Sequence, residues 1–131
     1  LGLEILEDAE WLQAALDVVG NHHEKFDGSG YPNGRKGEDI PLTARIFAIV
    51  DVFDALASER PYKQAMSCEG AIGIVRRDAG SRSDPRLVER FGRMACELHR
   101  RYSAAGEETL KTELREKGLQ YFFAASQFTP A

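Results

Sequence analysis

The chain has 131 residues, 43% hydrophobic and 29% charged, with a formal net charge of −4. That size suits one domain with one core, and the balance excludes a disordered or low-complexity segment. The acidic balance argues against bulk electrostatic binding to DNA, RNA or an anionic membrane, so any anionic ligand must be held by a local basic cluster.

The first predicted element is an amphipathic helix from Leu3 to about His23, with Leu3, Leu6, Leu12, Ala15, Leu16 and Val19 at spacings of three and four. The stripe ends at His22 and His23. Neighbouring helical side chains project about 100° apart, so both imidazoles reach one ion only if the helix end unwinds or two ions lie side by side. Asp27 to Asp39, with Gly28, Gly30, Gly34, Gly37 and Pro32, is read as a loop long enough to suspect function. Its DGSG run is not an EF-hand: aligning the glycines puts His23 or Lys25 where the first carboxylate must stand.

Pro41 marks the start of the next helix, Leu42 to Leu56. It is apolar nearly all round, which predicts a central helix covered on most sides. Asp51 and Asp54 interrupt it, and an ionised carboxylate among apolar residues needs a cation. Periodicity does not choose between them as a metal ligand, and Arg45 or Arg60 are the candidate partners for a purely structural ion pair.

A connection around Pro61 follows, with Arg60 and Lys63 as a compact basic spot suited to phosphate or to solvent. Ser67 predicts the cap of a third helix running to about Asp78, and Asp84-Pro85 opens a fourth over about Arg86 to Tyr102. Beyond Gly106 a charged stretch, Glu107 to Lys117, leads to an apolar tail with Tyr121, Phe122, Phe123 and Phe128, read as a helix that docks on the domain or a partner. Cys68 and Cys96, the only cysteines, are read as reduced packing residues, since neither forms a CxxC pair. No strand-like alternation, membrane-spanning run or signal peptide is evident, so the expectation is an all-α, cytoplasmic protein.

Taken in order, HHEKFDGSGYPNGRKGEDIPLTARIFAIVDVFDALASERPYKQA followed by SDPRLVERF resembles the HD-GYP family of cyclic di-GMP phosphodiesterases, within the HD-domain metal-dependent phosphohydrolases. The resemblance covers roughly residues 1–91 and includes the Gly30-Tyr31-Pro32 triplet. It implies a helical bundle of the HD-domain type and a binuclear or trinuclear iron or manganese centre. The implied activity is hydrolysis of cyclic di-GMP to pGpG or GMP in bacterial signalling. By motif, His22, His23 and Asp51 are the implied metal ligands and Tyr31, Arg60 and Lys63 the implied substrate contacts. Glu24, Lys25, Asp27, Gly30, Pro32 and Asp54 are given supporting roles.

Phe26 and Arg82-Ser83 depart from the family pattern, and the chain has no His-Asp dipeptide. The name-giving pair and a further histidine ligand are therefore expected upstream of Leu1, in the helix that LGLEIL continues, so no catalytic residue is assigned. Residues 1–102 are read as the C-terminal part of an HD-GYP domain, truncated on its N-terminal side, and 103–131 as a helical extension. Such a chain is expected to hydrolyse cyclic di-GMP poorly or not at all by itself and to have no DNA or membrane partner. The competing reading is a non-catalytic regulatory module that binds a cyclic dinucleotide or a partner such as a diguanylate cyclase domain, with a sensor or receiver domain upstream. A third reading is a mere piece of the domain whose lost helices leave an apolar face exposed, covered by forming a homodimer or swapping helices.

Overall fold

The computed structural model describes residues 13–126, and the helical stretch expected from Leu3 to Leu12 lies outside them, as does Phe128. Five α-helices are described: α1 (Gln13–Asn21), α2 (Leu42–Ala57), α3 (Cys68–Arg77), α4 (Pro85–Ala104) and α5 (Glu107–Ser126), with a single 3₁₀ turn at Gly37–Asp39. Among the described residues the only β-type pairings are two isolated bridges, Arg60 with Lys63 and Ala79 with Ser83, so the all-α expectation holds. No helix among them is long and apolar enough to cross a membrane.

The chain divides into two compact units, one ending at Cys96 and the other beginning at Glu97. In the first, α1 and α3 both pack on α2. The core gathers Ile49, Phe53 and Ala57 of α2, Ala71, Ile72 and Val75 of α3, and Val88 and Ala95 of α4. Phe53 and Phe91 meet edge to face with ring centroids 5.2 Å apart, a favoured aromatic geometry. In the second unit, Arg101 pairs with Glu113 at 3.0 Å, which holds the Glu113 carboxyl below its ordinary range. His99 lies 3.5 Å from the Ser103 hydroxyl.

The helix boundaries follow from capping. The Ser67 hydroxyl accepts the Gly70 N–H at 3.1 Å and opens α3. Asp84 accepts the Arg86 N–H at 2.9 Å and opens α4. Its other oxygen takes the Arg45 guanidinium at 2.8 Å, and Asp84 is 1% exposed. Arg45 thus finds its carboxylate on a distant loop, and no ion pair to Asp51 is seen among the described residues.

Two expectations are corrected. The helix Leu42–Ala57 is central but not covered on most sides: Leu42, Ile46, Phe47 and Val50 are all more than two fifths exposed. The face bearing Ala44, Ile49, Phe53 and Ala57 is the buried one. Cys68 and Cys96 are not reduced but joined in a disulfide, Cα–Cα 5.7 Å. The fold sets the two thiols side by side, a tertiary proximity that a separation of 28 residues does not disclose.

Candidate active site

The histidines lie just past a helix end. Helix α1 stops at Asn21, whose side chain donates to the Asp17 carbonyl at 2.8 Å. His22 and His23 follow in a turn closed by the Glu24 N–H on the Asn21 carbonyl, 3.0 Å. Freed from helical spacing, the two rings come together with centroids 3.9 Å apart. This is the unwinding that two adjacent imidazoles need in order to converge.

Glu24 organises the glycine loop. It is 4% exposed, and its two oxygens accept the Asn33 N–H at 2.7 Å and the Arg35 N–H at 3.0 Å. It is therefore a brace across the loop and not a solvent partner of Lys25. Gly30 is required by close approach: a Cβ there would stand 2.6 Å from the Glu24 Cα and collide with the Lys25 nitrogen and the His23 carbonyl. That approach seats Tyr31, whose N–H donates to the His23 carbonyl and whose ring stacks on His23 at 4.8 Å and 22°. The Tyr31-Pro32 peptide is cis. Tyr31 is 62% exposed, so it faces a ligand or solvent and does not plug the core. Asp27 accepts the Ser29 N–H at 2.9 Å. The hydrogen bonds from Ser29 hold the Asp27 carboxyl below its ordinary range, with Lys25 and Lys36 adding to the effect.

A cavity of about 340 Å³ opens between this loop, α2 and the turn before α4. It is lined by His22, His23, Glu24, Lys25, Tyr31 and Asp51, with Ala48, Val52, Arg82 and Ser83 completing the wall. All three expected metal ligands and Tyr31 therefore border one space. Asp51 is exposed, so its value to a cation does not come from relief of a burial cost, which was the premise of the sequence reading.

Imidazole nitrogens and a carboxylate are donor types that bind divalent metal ions. The His22 Nδ1 lies 2.9 Å from the Val18 carbonyl, which can only accept, so Nδ1 carries the proton and Nε2 keeps its lone pair. An imidazole held this way is a prepared ligand. The set is nonetheless partial: among the described residues no three histidine, cysteine or acidic groups are gathered closely enough to hold an ion.

Arg60 and Lys63 are not in this cavity. They form the bridged turn Arg60-Pro61-Tyr62-Lys63, which lines a shallow concavity of its own. The Lys63 ammonium lies 3.4 Å from the Ala55 carbonyl, and Arg60 lies 3.9 Å from Asp54. Asp54 also accepts the Ser58 hydroxyl at 2.9 Å, which makes it a local brace at the end of α2. The polar residues of the lining that no motif in the sequence assigns to the site are Arg82 and Ser83. Their only signal in the sequence was a departure from the family pattern.

Among the described residues the fold is all-α, and the turn after α1 together with α2 brings two histidines and an aspartate to one cavity, an arrangement that defines a helical metal-site class of domain. Residues 1–87 match the family model described as HD domain, and the chain belongs to the HD domain family. It is 48% identical over 99 residues to a probable cyclic di-GMP phosphodiesterase of Vibrio cholerae, covering 70% of this chain and 22% of that protein. It is 43% identical over 100 residues to the cyclic di-GMP phosphodiesterase response regulator RpfG of Xanthomonas campestris, covering 75% of this chain and 26% of that one. Among solved structures it is similar to a cyclic GMP-AMP specific phosphodiesterase of V. cholerae, with a TM-score of 0.67 and 28% identity over 84% of this chain and 25% of the other. The chain thus spans about a quarter of the length of these relatives.

Proposed function

We propose that this chain forms part of the active site of a metal-dependent phosphodiesterase acting on cyclic di-GMP or a related cyclic dinucleotide. The observation that carries the reading is the single cavity bordered by His22, His23, Asp51 and Tyr31. It is supported by relatives named for hydrolysis of cyclic di-GMP and of 3'3'-cGAMP. His22, His23 and Asp51 would hold iron or manganese, with the remaining ligands of a binuclear or trinuclear centre coming from residues beyond those described. When bound, such ions supply polarisation of a phosphoryl oxygen and acidification of a water.

The chain's own residues position the ligand. His22 is fixed by its bond to the Val18 carbonyl, and the Tyr31 ring is held against His23 with one face open. Arg60 and Lys63, on their separate turn, would meet the far end of a dinucleotide. Residues 1–102 act as the catalytic-domain portion in this reading and 103–131 as its extension, in a cytoplasmic bacterial signalling protein.

Because the donors gathered here are partial, this chain should bind the nucleotide and hydrolyse it slowly. Titration of the apo chain with Mn²⁺ by calorimetry, followed by elemental analysis, tests the metal assignment. Uptake that falls at least about tenfold in His22→Ala and Asp51→Ala is expected, since loss even of supporting partners weakens metal sites by about that factor. No uptake by the unsubstituted chain, or equal uptake by both variants, would sink the assignment.

A further inference from the structure

The cavity wall holds one cation that no motif assigned. Arg82 lines it, its side chain is exposed, and it has no ion-pair or hydrogen-bond partner among the described residues. Four of the nine arginines of the first unit pair with carboxylates, Arg45 with Asp84, Arg60 with Asp54, Arg86 with Glu38 and Arg93 with Glu89, and Arg82 is the one arginine in the lining of this cavity. In a chain of net charge −4, a guanidinium left without a carboxylate and set beside two imidazoles is placed for an anion.

Its backbone is fixed by contacts that do not involve the side chain. The Arg82 N–H donates to the Asp78 carbonyl at 2.9 Å, and the Arg82 carbonyl accepts the Phe26 N–H at 3.1 Å. The Ser81 carbonyl accepts the Asp27 N–H at 2.9 Å, and Gly80, at φ +87°, donates to the Ser83 carbonyl at 2.8 Å. The following residues, Ser83 and Asp84, are buried, and Asp84 is locked by Arg45. The turn is thus stitched to the loop that carries the histidines and Tyr31. A side chain offered from such a support reaches its ligand with little backbone left to order.

We propose that Arg82 is a phosphate-binding residue of this cavity, its guanidinium gripping a phosphodiester oxygen of the cyclic dinucleotide. The inference rests on the nucleotide reading above and deepens it. Arginine suits the role because its planar fork can give two parallel hydrogen bonds to one phosphate, whereas lysine gives a point charge.

Calorimetric binding of cyclic di-GMP to the full chain tests this, comparing Arg82→Ala, Arg82→Lys and a charge control, Arg93→Ala, which removes the same charge outside the cavity. Arg82→Ala is expected to raise Kd about tenfold or more, as for loss of a hydrogen bond to a charged group. Arg82→Lys should recover part of that loss, Arg93→Ala should change Kd less than about twofold, and binding by Arg82→Ala should respond less to added salt. Unchanged thermal melts are expected, because the structural bonds of this turn are made by backbone. If Tyr31→Ala weakens binding while Arg82→Ala does not, the contact is wrong and the nucleotide reading stands. If the unsubstituted chain binds no cyclic di-GMP, that reading fails and the contact with it.

Discussion

Residues 22–39 and residues 59–64 both carry ligand candidates, yet they are built in different ways. The first segment is tied from within by Glu24 to Asn33 and Arg35, by Gly37 to Phe26 and by Gly28 to Lys25, and from outside by the turn at Ser81 and Arg82. The second is a bridged turn with Tyr62 91% exposed and its cations held by one carbonyl and one long ion pair. The difference separates two jobs. Under the proposed function, the groups that would converge on one ion sit on a braced backbone, and those that would only supply charge at a distance sit on a surface turn.

Breaking the brace should have the largest effect. Glu24→Ala removes both acceptors from a buried position and should cost about 2–3 kcal/mol in urea unfolding. Gly30→Ala forces the Tyr31 segment away from residues 23–25 and should cost roughly 1–3 kcal/mol, with loss of the Tyr31–His23 stack visible in aromatic NMR shifts. On the turn, Arg60→Ala and Lys63→Ala should each change stability by under about 0.5 kcal/mol, since exposed charges contribute little. A large loss in either would show that the turn is as tightly built as the loop.

The smallest effect concerns acid. The Asp27 carboxyl is held below its ordinary range by its bonds to Ser29, so its stabilising contribution is present above the unfolded-state value and is lost as pH falls through the lowered folded one. The melting temperatures of the unsubstituted chain and Asp27→Ala should therefore differ slightly at neutral pH and converge below the ordinary carboxylate range.

Much of this was legible in local chemistry. Ser67 and Asp84 announced their helices because a cap is a contact between near neighbours. The histidine pair, Asp51 and Tyr31, which the family resemblance singles out, border one cavity, whereas Arg60 and Lys63 do not. The rest depends on contacts distant in sequence. Asp84 reads as a cap, but its bond to Arg45 spans 39 positions, and Arg82 reads only as a departure from the family pattern, with nothing in the sequence to show that its turn meets Phe26. The helix Leu42–Ala57 carries apolar residues on every side, and sequence pattern does not say which side has a neighbour.

The Cys68–Cys96 bond closes a covalent ring that contains α3, the Ser81–Arg82 turn and most of α4's first-unit portion. Closing a ring of this size removes conformations from the unfolded chain, a difference of about 3.6 kcal/mol in the chain-entropy view. The same sequence handled with and without a reductant is then two chemical species with different unfolded ensembles. The turn that carries Arg82 belongs to the ring in one of them and to an open chain in the other, so binding constants from the two preparations describe different molecules.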